Sequence, residues 1–164
     1  MMERLNPLLS VIVPLILGAS ASAQSMCPKG SNSTGESPPK GIRQWCQRTL
    51  PNGKFQNHGP MVEWYKNGKK KAESFWSNGV LQGKLTTWFE NGKVKAEAHW
   101  EQGQPSGTWS EWHENGKKSS QAEYKNGLQS GKTYRWDVFG TLVFEATFDK
   151  GRLIDRTTGA EPGS

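Results

Sequence analysis

Long apolar runs are absent from most of this sequence. Hydrophobic residues make up 33% of the 164 positions, and after the first two dozen residues no segment approaches the roughly 20 apolar residues that a membrane span needs. This scarcity excludes a multi-pass membrane protein and leaves room for one small domain.

Histidine and cysteine are scarce as well, with three of the first and two of the second. His113-Glu114 lacks the second histidine of a zinc helix motif, and no Cys-x-x-Cys pair supports a redox function. We therefore expect no metal site, no cofactor and no catalytic residues.

An enzymatic alternative depends on two glutamates. Glu73 and Glu97 would lie roughly 9 to 10 Å apart on alternate strands of a sheet, near the upper limit for the carboxylate pair of an inverting glycosidase. A flat sheet offers no desolvated cleft that would raise one pKa. A carbohydrate-active or hydrolytic enzyme is thus the alternative, and a non-catalytic protein is our prediction.

The first 23 residues have the three parts of a secretory signal peptide. Arg4 precedes the apolar run from Leu8 to Leu17, and Ala21-Ser22-Ala23 forms a small-x-small cleavage site. A retained anchor and a lipid anchor at Cys27 are the alternatives, but Gln24-Ser25-Met26 lacks the small and aliphatic residues of a lipoprotein signal. We predict an exported protein in the periplasm, the outer envelope or the medium.

Export places Cys27 and Cys46 in an oxidising compartment, where a disulfide between them is expected. The bridge would close a 20-residue loop, which stabilises a fold by roughly 3 kcal/mol. Residues 28–41 inside the loop are rich in Gly, Ser, Pro and Lys and cannot order themselves by burial. The bridge is therefore predicted to tie a loose N-terminus to the first strand. Asn32-Ser33-Thr34 is also a glycosylation sequon.

A 24-residue repeat dominates the rest of the chain. Six columns of like residues recur in phase, three of them glycine, one tryptophan, one aromatic and one acidic or amide. The glycine columns are Gly59, Gly83, Gly107, Gly131; Gly68, Gly92, Gly116, Gly140; and Gly79, Gly103, Gly127, Gly151. The other columns are Trp64, Trp88, Trp112, Trp136; Trp76, Trp100, Tyr124, Phe148; and Glu73, Glu97, Gln121, Glu145.

Each unit has two runs of six to eight residues on either side of a turn. Asn67-Gly68, Asn91-Gly92 and Asn115-Gly116 predict type I′ hairpin turns, whose two central residues have positive φ. Asp137-Val138-Phe139 precedes the last of these glycines, so that turn departs most from the pattern. We predict an all-β meander of consecutive hairpins with about nine strands, forming an elongated sheet about 40 Å long.

The chain divides into five parts in this interpretation: a signal peptide (1–23), a flexible segment tied by the disulfide (24–41), a degenerate capping repeat (42–58), four repeats (59–155) and a disordered tail (156–164).

The spacing of glycine and tryptophan resembles the MORN repeat, and more closely its bacterial variant with the pattern Trp-aromatic-x-Asn-Gly-Lys. Trp64-Tyr65-Lys66-Asn67-Gly68-Lys69 and Trp88-Phe89-Glu90-Asn91-Gly92-Lys93 match this pattern. Proteins with this variant are often labelled YwqK-type antitoxins. The resemblance implies a MORN-like sheet, and it is specific for the fold rather than for one function.

Strand alternation separates the columns into two faces. We expect both ring columns, Trp64 and Trp76 with their equivalents, to form a packed core together with the small residues of the second strand. The opposite face is expected to carry charges, among them Glu63, Glu73 and Lys71, together with five rings. These rings are the candidate binding face: Tyr65, Phe75, Phe89, His99 and His113. Rings that only cover the sheet are an equal alternative.

The formal charge of +6 adds a second candidate. Lysines follow the hairpin turns and would line one edge of the sheet, where they would meet anionic lipid or acidic polysaccharide or protect the edge from aggregation. The candidate basic edge consists of Lys69, Lys70, Lys71, Lys117 and Lys118. We predict an unidentified protein as partner, with anionic lipid or polysaccharide as the alternative and no nucleic acid.

Overall fold

The structure, a computed structural model, describes residues 26–158, and within this range all regular structure is β. The strands are β1 (Asn32–Glu36), β2 (Arg43–Thr49), β3 (Phe55–Trp64), β4 (Lys70–Ser77), β5 (Val80–Leu81), β6 (Gly83–Trp88), β7 (Val94–Glu101), β8 (Gln104–Trp112), β9 (Lys118–Lys125), β10 (Leu128–Trp136), β11 (Leu142–Asp149) and β12 (Arg152–Thr158). The predicted signal peptide and the last six residues lie outside the described range.

All twelve strands form one antiparallel sheet that does not close. Strand follows strand along it in chain order, except that β5 pairs only with β4. The predicted all-β meander is confirmed, and the hairpins β3–β4, β6–β7, β8–β9 and β10–β11 each occupy one repeat.

The sheet has more strands than the nine expected. Short β5 lies just before Gly83, where the second repeat begins, and β1 lies inside segment 24–41, which the composition predicts to be flexible. β12 begins at Arg152, within the predicted repeats (59–155), and continues into segment 156–164, which the composition predicts to be disordered. β1 pairs with β2 along five residues and β12 pairs with β11. Backbone pairing to a neighbouring strand thus orders residues that have few apolar side chains to bury.

The turns are of two kinds, and the predicted type I′ turns are not at the predicted glycines. At Asn67-Gly68 only the glycine has positive φ, and the Oδ1 of Asn67 accepts the N–H of Lys69 at 3.0 Å. This is the three-residue loop in which a left-handed glycine follows a tight turn. Both residues have positive φ in the other turns, for example 51° and 79° at Asn78-Gly79, so the type I′ turns connect one repeat to the next.

The remaining glycine column marks a bulge at the start of each repeat. Between Gln129 and Thr133 the pairing of β10 with β9 shifts by two residues, and Gly131 in this interval has a φ of 117°. A side chain there would be strained and would meet the carboxylate of Glu123.

The sheet is a single layer, so the expected packed core on one side is wrong. Only six described side chains are buried, and they are small or medium in size: Cys46, Val62, Thr86, Ala98, Thr133 and Ala146. The tryptophans of both ring columns are half-buried. Because no second layer covers either face among the described residues, each ring is covered only by its neighbours in the sheet.

A disulfide joins Cys27 to Cys46, as predicted. Cys46 lies in the middle of β2 and is 1% exposed, while Cys27 precedes β1. The bridge therefore holds the beginning of the described chain against the sheet beside Gly59, where the Cβ of an alanine would lie 2.9 Å from the Cβ of Cys46.

Candidate functional site

The pairing register decides which side chains share a face, because residues directly opposite each other point to the same side. Val62 is paired with Glu73 and Thr86 with Glu97, whereas Met61 is paired with Ser74 and Leu85 with Ala98. The tryptophan–glutamate face thus carries Trp64, Trp88, Trp112, Trp136, Glu73, Glu97, Gln121 and Glu145. The alanine face carries Trp76, Trp100, Tyr124, Phe148, Ser74, Ala98, Ala122 and Ala146.

The two ring columns therefore lie on opposite faces, and our assignment of both to one face is wrong. Glu63 pairs with Ala72 but Trp64 pairs with Lys70, so β4 has one extra residue beside the turn. Such a bulge breaks the simple alternation from which faces are read in a sequence. With both faces open to solvent, the sequence also has no single apolar side that would reveal the error.

The five candidate rings do not lie together on one face. Phe75 and His99 belong to the tryptophan–glutamate face, paired with Pro60 and Lys84. Tyr65, Phe89 and His113 instead begin the hairpin turns, at one long edge of the sheet. Their recognition role stays a prediction, and two of them have a structural role that the sequence did not reveal.

That role is to join one hairpin turn to the next. The hydroxyl of Tyr65 donates to the carbonyl of Trp88 at 2.7 Å, and the Nε2 of His113 lies 2.9 Å from the carbonyl of Trp136. The amide of Asn115 likewise donates to the carbonyl of Val138 at 2.7 Å. Each turn is therefore hydrogen-bonded to the turn of the following repeat, and we call this set of bonds the turn ladder.

Most of the candidate basic edge is engaged within the molecule. In the turn ladder the ammonium groups of Lys69 and Lys117 donate to the carbonyls of Asn91 at 3.1 Å and Phe139 at 2.6 Å. Lys70 and Lys118 turn onto the tryptophan–glutamate face. Of the five lysines, the exposed Lys71 is the one for which the structure gives no such bond. A role of this edge in binding an anionic partner stays a prediction.

Three glutamates on the tryptophan–glutamate face each form an ion pair with one lysine. Lys70 pairs with Glu73 at 2.9 Å, Lys84 with Glu97 at 2.7 Å and Lys132 with Glu145 at 3.2 Å. The hydrogen bond to Glu145 raises the pKa of the Lys132 ammonium. Glu73 and Glu97 are thus ion-paired carboxylates on an open surface, and this arrangement gives no support to a glycosidase pair.

A groove of about 460 Å³ crosses the alanine face above β8, β9 and β10. Small residues, Ser120 and Ala122, form part of its lining, and the rings of Trp109 and Tyr124 flank it with their centroids 5.8 Å apart. Trp100 extends this row, 6.1 Å from Trp109. The groove combines a lining of small and polar residues with two aromatic side chains.

Charged groups lie at the same groove. Glu111 accepts hydrogen bonds from the hydroxyl of Ser120 at 2.8 Å and from the indole N–H of Trp109 at 3.2 Å. Arg135 also lines the groove, and its guanidinium lies 5.2 Å from the ring centroid of Phe144. Trp109 was missed by the sequence analysis because it lies off the tryptophan column; its equivalents are Met61, Leu85 and Thr133.

Metal binding has no visible basis in residues 26–158, where no three His, Cys, Asp or Glu side chains are grouped to hold an ion. In the same range the structure contains no helix that is long and apolar enough to cross a bilayer.

Comparison with known protein families identifies a matching repeat. The repeat family described as the MORN repeat variant matches residues 57–78, 81–102 and 105–126. Each matched segment begins 24 residues after the previous one and ends at the first residue of a type I′ turn. No curated protein matches the chain.

Proposed function

We propose, from three consecutive MORN-variant repeats in an open single-layer sheet, that this protein is an exported, non-catalytic module that binds another protein. The disulfide between Cys27 and Cys46 supports an oxidising compartment, and the apolar leader of the sequence supports export. The resemblance to YwqK-type antitoxins makes a toxin one candidate partner.

The groove on the alanine face is the observation that carries this proposal. Tryptophan, tyrosine and arginine are the residue types that most often dominate the binding energy of protein interfaces, and the groove is lined by Trp109, Tyr124 and Arg135. Its rings are half-buried without a covering layer. A partner that covered them would remove apolar area from water on a surface already ordered by the sheet.

Affinity capture from an envelope extract tests the proposal. The mature chain is the bait, and the variant is Trp109→Leu, because Leu85 occupies the equivalent position of the preceding repeat. We expect the variant to keep its thermal transition and to lose at least tenfold in affinity for the captured protein. Phe75→Ser on the opposite face is the matched control and should bind normally.

The opposite results would overturn the proposal: Trp109→Leu capturing as well as the native chain, or Phe75→Ser losing capture. Binding that weakens steeply between low and physiological salt would instead favour anionic lipid or polysaccharide at the lysines. Aromatic anchoring should respond little to salt.

A further inference from the structure

One row on the tryptophan–glutamate face contains a break in its pattern. Across the hairpins, each column tryptophan pairs with the first residue of the returning strand: Trp64 with Lys70, Trp88 with Val94, Trp112 with Lys118 and Trp136 with Leu142. Along the sheet the row therefore consists of tryptophans in alternation with these first residues of the returning strands. Each such residue separates one column tryptophan from the next. This separating residue is lysine in the first and third repeats.

Both lysines make the same pair of contacts. The Nζ of Lys70 lies 2.9 Å from Glu73 and 5.7 Å from the ring centroid of Trp88 in the next repeat. The Nζ of Lys118 lies 2.6 Å from Gln121 and 5.8 Å from the centroid of Trp136. An ammonium group is thus held between an oxygen acceptor three residues on and an indole face, which attracts cations through its quadrupole.

In the second repeat the acceptor and the ring are present but the lysine is replaced by Val94. Glu97 and Trp112 occupy the positions of Glu73 and Trp88. Two depressions of about 510 Å³ each meet at Val94 and Glu97, one lined by Trp112 and the other by Trp88. In the described part of the chain the structure places no cation over Trp112. This repeat therefore has the oxygen acceptor and the indole ring but lacks the ammonium group that accompanies them in the first and third repeats.

The carboxylate of Glu97 keeps capacity for a further donor. Its Oε1 pairs with Lys84, which reaches it from β6, but a carboxylate has about four lone-pair sites on its two oxygens. The fourth repeat does not share this arrangement, because Leu142 has no column tryptophan after it. The second repeat is therefore where an outside group would find a carboxylate, the indole of Trp112 and a short apolar surface together. Lys93 also lines this depression, but its ammonium donates to the carbonyl of Asn115 at 2.9 Å.

We propose that this slot, formed by Val94, Glu97 and Trp112, binds the side chain of a lysine from another polypeptide. The ammonium would occupy the position that Lys70 and Lys118 occupy in their repeats, and the aliphatic stem would pack on Val94. The slot lies on the face opposite the groove of Trp109, so it is independent of the proposed protein-binding groove.

A titration with small probes tests the slot. The probe is Nα-acetyl-lysine amide, with Nα-acetyl-norleucine amide as its neutral counterpart, and the readout is the indole N–H signals of the full mature chain in NMR spectra. We expect saturable shifts of the Trp112 signal with the lysine probe and at least threefold smaller ones with norleucine. Equal shifts with both probes, or none at Trp112, would overturn the proposal.

Val94→Lys places an ammonium group of the protein itself in the slot. It should weaken binding of the lysine probe at least tenfold. Leu142→Lys adds the same charge at the equivalent position of the last repeat and should leave probe binding unchanged. Since Val94→Lys copies the native sequence pattern of two repeats, it should keep the thermal transition of the native chain. Unaltered probe binding by folded Val94→Lys would show that the slot is not used, and equal weakening by Leu142→Lys would show that net charge alone explains the loss.

Discussion

Single residues in the type I′ turns show where the backbone is less than optimal. The first turn residue is asparagine at Asn78 and Asn126, but it is Gln102 and Lys150 in the other two turns, with φ values of 50° and 48°. Asparagine tolerates this left-handed conformation much better than long side chains do. The repeats thus perform the same turn with residues of unequal suitability.

We expect Gln102→Asn and Lys150→Asn each to raise the free energy of unfolding by about 0.5 to 1 kcal/mol, measured by urea denaturation. Lys66→Asn, in a three-residue loop whose Lys66 does not have positive φ, is the control and should change little. A gain of the same size in the control would mean that turn conformation is not the cause.

In the last hairpin turn, Asp137 has the role that asparagine has in the other three, where its side chain accepts a backbone N–H. Its carboxylate accepts the backbone N–H groups of Thr141 at 2.8 Å and Phe139 at 2.9 Å, and these bonds lower its pKa below the ordinary value of 3.8. The turn that departs most from the sequence pattern therefore still closes β10 onto β11.

Because the folded-state pKa of Asp137 is lowered, its contribution to stability is present above pH 4 and is lost as the pH falls through the folded-state value. We expect Asp137→Asn to be less stable than the native chain at pH 7, with the difference shrinking towards pH 2. Thermal melts across this range check the prediction, and a difference that does not depend on pH would contradict it.

At the scale of elements, each of the first three hairpin turns is hydrogen-bonded to the next hairpin turn as well as within itself. Asn115 shows both roles, since its Oδ1 accepts the N–H of Lys117 at 2.9 Å and its Nδ2 donates to the carbonyl of Val138 at 2.7 Å. The first bond shapes the turn, and the second belongs to the turn ladder.

Two substitutions separate these roles. Asn115→Asp keeps the acceptor and loses the donor, so it should cost about 0.5 to 1 kcal/mol, whereas Asn115→Ala loses both bonds and should cost about twice as much. Urea denaturation measures both. Equal costs would show that one of the two bonds contributes nothing.

The disulfide acts on the N-terminal hairpin rather than on the whole sheet. Replacing Cys27 and Cys46 by serine removes the closure of a 20-residue loop, worth about 3 kcal/mol. We expect hydrogen exchange to accelerate in β1 and β2 while β8 to β11 keep their protection, because in a repeat array each unit contacts only its neighbours. Equal acceleration throughout would reveal a sheet that unfolds as one unit.

The whole molecule is a linear array in which position along the chain is position along the sheet. Removing residues 83–106 would delete one complete 24-residue period and join Gln82 to Gly107, leaving every later side chain on its present face. We expect this shortened chain to fold with a cooperative but lower thermal transition. Removing 84–106, one residue fewer, shifts the register and should abolish the transition; survival of both would contradict the array.

The 24-residue periodicity made much of this array predictable. The features that could not be predicted lie where the periodicity is interrupted. The 24-residue columns predicted the hairpins, and the pair of cysteines predicted the bridge. The faces could not be read because Lys70 and Lys71 form a bulge in which one residue too many faces the partner strand. The slot at Val94 was visible only as a valine at a position that is lysine in the first and third repeats, and the groove only as Trp109 outside the tryptophan column.

The strand order also determines how the molecule would respond to mechanical force. A load pulling β12 away from β2 would act across the hydrogen bonds of one strand pair at a time, so the sheet would peel repeat by repeat rather than resist as a block. Each released repeat of 24 residues would add roughly 80 Å of extended chain. The bridge from Cys27 to Cys46 would keep the loop that contains β1 out of this extension.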